Sequence, residues 1–134
     1  MNVRALALLP ALLITTAATS SIDIPNELQQ CRRLSDHEQR LACFDVLAFR
    51  HSPPRFAGRH GATTEAFVTT GPQRLRYQSD GAIFVMYLRD AEGGVLQNIT
   101  LPGGGEDSYR IDKAGTYSLQ ISGSETWRIW IDPP

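Results

Sequence analysis

Three histidines, two cysteines and fourteen acidic side chains are the groups in this 134-residue chain that could move protons, bind metal or attack a substrate. His37-Glu38-Gln39-Arg40-Leu41 begins like the His-Glu-x-x-His helix of zinc proteases, but its fifth residue is Leu, so one imidazole is presented where two are needed. His37 is read as a surface residue at a helix start. His51 and His60 fall in a Pro- and Gly-rich stretch, which gives no rigid base beside a nucleophile, and no Gly-x-Ser-x-Gly turn is present. Gly103-Gly104-Gly105 is followed at once by Glu106 and Asp107, whose charge would repel a phosphate, so it reads as a turn. Asp80, Asp90, Glu92, Glu106, Asp107 and Asp112 lie in or near predicted turns and could converge on calcium through oxygen ligands. Their spacing matches no dedicated loop, and solvated turn residues are the preferred reading. Asn98-Ile99-Thr100 is a formal glycosylation acceptor, on a predicted strand. No catalytic residue, resident metal or cofactor is assigned.

Composition narrows the partners. A net charge of −1 with 20% charged and 42% hydrophobic residues fits one small globular unit. It lacks the basic excess that nucleic acid or polybasic membrane attachment demands. Residues Met1–Ser20 read as a secretory signal peptide: Arg4 starts it, Ala5–Ile14 is an apolar run too short to span a bilayer, and small residues follow. Cleavage after Ala18 or Ser20 is expected, leaving a mature chain without a transmembrane segment. Lipoprotein processing at Leu28-Gln29-Gln30-Cys31 is disfavoured, because the glutamines are large and Cys31 lies far from the apolar run.

Export places Cys31 and Cys43 in an oxidising compartment, where a pair normally forms a disulfide; without a Cys-x-x-Cys spacing, a structural bridge is expected over a redox one. Closing a loop of this length stabilises by about 3 kcal/mol on the chain-entropy model. Ser35-Asp36-His37-Glu38 is a capping box that predicts a helix from Asp36 to about Arg50, with Leu41, Phe44, Leu47 and Ala48 as its apolar stripe. Asn26 is expected to cap a shorter helix through Leu34. The fold before residue 51 is thus a disulfide-pinned helical hairpin.

The run Cys31-Arg32-Arg33-Leu34-Ser35-Asp36-His37-Glu38-Gln39-Arg40-Leu41-Ala42-Cys43-Phe44-Asp45 resembles the N-terminal segment of the periplasmic, type VI secretion-associated VasI/TagO-type proteins. These carry two cysteines at this spacing, the second inside an Arg-Leu-x-Cys-Tyr-Asp-like run. The resemblance covers about residues 27–49 and implies a periplasmic helical hairpin. VasI/TagO-type proteins also have cysteines in their β domain, and this chain has none after Cys43.

Residues 51–64 carry two prolines, two glycines and no usable periodicity, and are expected to be a linker. Arg50, Arg55, Arg59, His51 and His60 make it locally basic, so an anionic headgroup or acidic partner is conceivable, with a solvated linker preferred. From residue 65 to 134 short alternating runs predict an antiparallel β-sandwich of about seven strands: Ala66–Thr70, Gln73–Gln78, Ala82–Arg89, Val95–Leu101, Ser108–Asp112, Thr116–Ser122 and Thr126–Asp132. Asp90–Gly94 and Lys113–Gly115 are the expected hairpin turns. This half resembles a small exported bacterial β-sandwich module, through Gly115-Thr116-Tyr117-Ser118-Leu119-Gln120-Ile121 and Trp127-Arg128-Ile129-Trp130-Ile131. The resemblance implies an accessory or binding role.

Ala82–Leu88 is apolar on both faces, which predicts that both are covered: Phe84, Met86 and Leu88 by the sandwich core, and Ile83, Val85 and Tyr87 by the helical stripe, with Trp130 a further contact. The alternative is that this second face meets a partner. The expected function is that of a non-enzymatic accessory protein, periplasmic or secreted, that binds a protein or envelope component. Its candidate binding surface is two aromatic–guanidinium pairs on solvent-side strand faces, Tyr87 with Arg89 and Trp130 with Arg128. The same pairs could stack on a sugar ring, so a glycan- or peptidoglycan-binding module is the second reading. A hydrolase using Glu106 and Asp107 is the third, and it lacks a pattern of paired acids at glycosidase spacing.

Overall fold

The structure is a computed structural model that describes residues 23–134, so the expected signal peptide lies outside the described residues. The chain divides into two compact units after Phe44. The first holds helix α1 (Ile24–Arg32) and the start of helix α2 (His37–His51), joined by the Cys31–Cys43 disulfide with Cα atoms 5.5 Å apart. Cys31 is buried, and Arg40 donates to the Leu34 carbonyl at 3.0 Å, tying α2 back to the turn before it. Both helix starts differ from expectation. Asp23 rather than Asn26 caps α1, its carboxylate accepting from the Asn26 N–H at 3.2 Å, with Pro25 tolerated in the first turn. Asp36 rather than Ser35 caps α2, accepting from the Gln39 N–H at 2.8 Å. Both carboxylates also sit favourably at the partial positive charge of a helix N-terminus.

The second unit contains the end of α2 and nine strands. All seven expected strands are present: β3 (Phe67–Thr69), β4 (Gln73–Ser79), β5 (Phe84–Arg89), β6 (Val95–Thr100), β7 (Gly105–Ile111), β8 (Gly115–Gly123) and β9 (Thr126–Asp132). With β1 (Phe56–Arg59) and β2 (Ala62–Thr63) they form a four-stranded antiparallel sheet, β1-β9-β4-β7, and a five-stranded one, β2-β8-β5-β6 with β3 also on β8. Between the sheets lie Leu75, Tyr77, Ile111, Trp127 and Ile129 from the first and Phe84, Met86, Leu88, Ile99, Leu119 and Ile121 from the second. Period-2 alternation sets this division, since residues two apart share a sheet face.

The expected linker is the main correction. It contains strands β1 (Phe56–Arg59), paired with β9, and β2 (Ala62–Thr63), paired with β8. Between them His60 adopts φ 60°, and its carbonyl accepts from the Trp127 indole at 2.9 Å and the Gly123 N–H at 3.3 Å. The expected basic patch is internally neutralised at two points: Arg55 pairs with Glu65 at 2.9 Å and Arg59 with Glu125 at 2.8 Å. Edge strands of two and four residues are too short to display a period, which is why composition alone marked this segment as a connector.

Two consequences are measurable. A Cβ on Gly58 would sit 2.5 Å from Cζ2 of the fully buried Trp127, so Gly58→Ala should destabilise the sandwich by about 1–3 kcal/mol in chemical denaturation. Burial, with Asp107 beside it, raises the Tyr77 phenol above its ordinary value. Below pH 10 it is protonated in both folded and unfolded chains; above that the unfolded chain ionises first, so stability should fall as pH rises toward the folded value. Tyr77→Phe should flatten that alkaline loss in denaturation midpoints measured against pH.

Candidate functional site

The four residues expected to form one binding surface divide between the two sheets. Arg128 and Trp130 lie on β9 and face outward from the four-stranded sheet, opposite to the inward Trp127 and Ile129. Tyr87 and Arg89 lie on β5 and face outward from the five-stranded sheet. Outer faces of packed sheets point away from each other, so these pairs make no common site.

Trp130 is covered rather than open. It is buried to 8% exposure, and its indole donates to the Ser52 carbonyl at 2.9 Å, at the end of α2. Its guanidinium partner is Arg76 on β4, directly across the sheet, and not Arg128. The Arg76 guanidinium lies 4.0 Å from the Trp130 ring and 4.2 Å from the Phe49 ring. It also donates to Asp132 at 2.8 Å through Nε and to the Phe49 carbonyl at 3.3 Å. A guanidinium is the cation suited to this position, because its flat faces stack on rings while its edge donates in fixed directions. Arg128 reaches Gln78 and Asp80 at 3.4 Å each. A cleft of about 510 Å³ opens beside Phe49, lined also by Asp45, Val46, Arg74, Asp132 and Pro133.

The Tyr87 face has a different character. Cross-strand partners place Asn98 and Gln120 on either side of Tyr87, Thr100 and Ser122 beside Val85, and Val95 and Ser118 beside Arg89. Tyr87 and Val85 are half-buried, and Ile83 is 62% exposed. Leu47, expected to help cover this face, is buried in the helix end whose Phe49 stacks on Arg76 of the other sheet. Arg89 is held rigid: Nε and Nη2 both donate to the Gly93 carbonyl, at 2.9 and 2.8 Å, and Nη1 reaches Gln120 at 3.5 Å. Gly93 accepts this closure with φ 87°, where a side chain would be strained. Asp90 completes the turn by accepting from the Gly94 N–H at 2.6 Å. The result is an aromatic ring in a row of amides, hydroxyls and one pinned cation, on a sheet face that nothing in this unit is shown to cover.

Tyr87 and Arg89 were candidates from the sequence, whereas Asn98, Gln120, Thr100 and Ser122 are brought to this row only by strand register. Glu106 and Asp107 sit on β7, Glu106 at 4.0 Å from Arg76 and Asp107 next to Tyr77. Among the described residues no group of three or more His, Cys, Asp or Glu is placed to hold a metal ion, and no helix is long and apolar enough to cross a membrane.

Replacing Arg76 tests the stacked cluster. Arg76→Met leaves Asp132 buried without its cation and should cost about 3 kcal/mol or more, with a red shift of Trp emission as Trp130 loosens. The double variant Arg76→Met with Asp132→Asn should recover part of that loss in the same denaturation assay.

No family model matches the chain, and neither does any curated protein. Among solved structures, one from Bacillus endospore appendages, described as forming a novel family of disulfide-linked pili, aligns over 59% of this chain and 88% of its own length. The identity is 9% and the TM-score 0.27, which carries no argument about this chain's fold or function.

Proposed function

We propose that the protein is an exported, periplasmic accessory protein without catalytic activity, which binds a protein or envelope component through the outer face of its five-stranded sheet. The observation that carries the reading is the Tyr87 row. A half-buried aromatic ring, a guanidinium fixed by its own hairpin and flanking amides and hydroxyls form a preorganised surface, and preorganisation lowers the entropy lost on binding. Export is supported by the Cys31–Cys43 disulfide, a bond that persists in oxidising compartments. Placement in the periplasm rests on the resemblance of the Cys31–Asp45 run to VasI/TagO-type proteins.

The flanking amides favour a second reading, a glycan or peptidoglycan ligand. Asn98 and Gln120 stand where an aromatic stacking on a sugar ring would be joined by hydrogen bonds to its hydroxyls.

Capture from Gram-negative envelope extract on the mature, disulfide-intact protein should enrich a component that Tyr87→Ala loses and Trp130→Phe retains. Identical capture by the wild type and Tyr87→Ala would reject this surface. Saturable calorimetric binding of soluble peptidoglycan fragments, weakened by about tenfold in Tyr87→Ala, selects the glycan reading.

A further inference from the structure

The four-stranded sheet ends in an open, regular edge whose charges match a second copy of the same strand. β7 pairs with β4 through seven consecutive residues, Gly105 to Ile111, without a register shift. Among the described residues its other side has no strand partner. The remaining edges are poorer templates. β1 has four residues, β2 and β3 share one side of β8 as separate pieces of two and three residues, and β6 is interrupted by a register shift opposite Leu88 and Arg89. No proline or bulge breaks β7, so a straight antiparallel neighbour would find a regular backbone once the Ser108 N–H, which donates to the Asp107 carboxylate at 2.7 Å, is released to it.

The side chains select the neighbour. Glu106, Ser108 and Arg110 share the outer face, opposite Gln78, Arg76 and Arg74 of β4. Acid and base therefore sit two residues either side of centre. We propose that β7 pairs antiparallel with β7 of a second copy about a two-fold axis through Ser108, normal to the sheet. Glu106 then lies opposite Arg110 of the other copy, and Arg110 opposite its Glu106, twice per dimer; the two Ser108 residues meet at the axis. On the inner face Asp107 comes opposite Tyr109. An antiparallel two-fold pairing keeps each residue on its own face, so the register centred on Ser108 satisfies both the pleat and the charges. Within one chain Glu106 lies 4.0 Å from Arg76 and Arg110 pairs with Asp112 at 2.6 Å, yet the Glu106, Arg110 and Asp112 side chains remain 47%, 61% and 70% exposed. Their outward positions leave them able to reach across the edge. The pairing joins two four-stranded sheets into one of eight strands, a closed C2 assembly with no further open β7 edge.

This inference is independent of the Tyr87 reading, since β7 lies on the other sheet. Its test is sedimentation equilibrium of the mature, disulfide-intact protein from micromolar to near-millimolar concentration, with circular dichroism confirming that each variant is folded. The wild type should dimerise. Glu106→Arg and Arg110→Glu should each weaken dimerisation by about tenfold or more, because like charges then face one another at both pairs. The double swap should restore it, and an equimolar mixture of the two single variants should form a heterodimer. A wild type that stays monomeric overturns the proposal, and the β7 charges then keep the edge unpaired. So does a dimer indifferent to both single reversals, or one that Leu96→Lys on β6 dissociates.

Discussion

A cation held out of water constrains this molecule more than any other group. Arg76 is 7% exposed on what would otherwise be the wet face of a sheet, and an unpaired guanidinium there would cost several kcal/mol. It is instead satisfied on every side: Asp132 from the neighbouring strand, the Phe49 carbonyl at its edge, and aromatic rings above and below. Each requirement fixes another part. Phe49 must stack, so the end of α2 comes to the outer face of β4 and β9. Once there, the helix end brings Ser52 to the Trp130 indole. A residue type associated with recognition surfaces is thereby used as internal packing.

That opposite face is shaped by the turn next to it. Arg89 spends two donors on Gly93, which costs it freedom to reach a ligand but leaves its charge in a known place. The Tyr87 ring is bracketed by residues from strands far apart in sequence. Tyr87 and Arg89 stand on β5, which is paired on both sides, by β6 and by β8.

How much of this was legible in the chain depends on whether a feature is periodic. Seven strands were readable as short runs between turn residues: Tyr117, Leu119 and Ile121 alternate strictly with polar neighbours, Ala82–Leu88 is apolar throughout, and the inward residues of both runs form the core. The disulfide was readable from the presence of just two cysteines at a loop-closing spacing in a chain expected to be exported. Strands β1 and β2 were not, because Phe56–Arg59 and Ala62–Thr63 are held by pairing to β9 and β8 rather than by any pattern of their own. Helix starts were misplaced by one and three residues because Ser35, Asp36, Asp23 and Asn26 are all competent caps, and backbone geometry chooses among them. Alternation showed which way Trp130 points but not what lies over it, and a buried Arg on an outward position has no sequence signature apart from the acid and rings that meet it in space.

Strand order sets a timetable for synthesis. β9 sits between β1 and β4, so the four-stranded sheet has a gap at its centre until residues 126–132 have been made. A nascent chain that ends before Thr126 offers β4 only β7 as a neighbour, with Trp127, Ile129 and Trp130 all missing from the layers they fill. The helical hairpin, whose two cysteines are only twelve positions apart, depends on no such distant partner. Local closure early and sandwich completion late is the order that contact separation dictates. The five-stranded sheet and the β4–β7 pair need nothing from β9, so the first β half to close is the sheet that carries Tyr87, and the four-stranded sheet closes behind it.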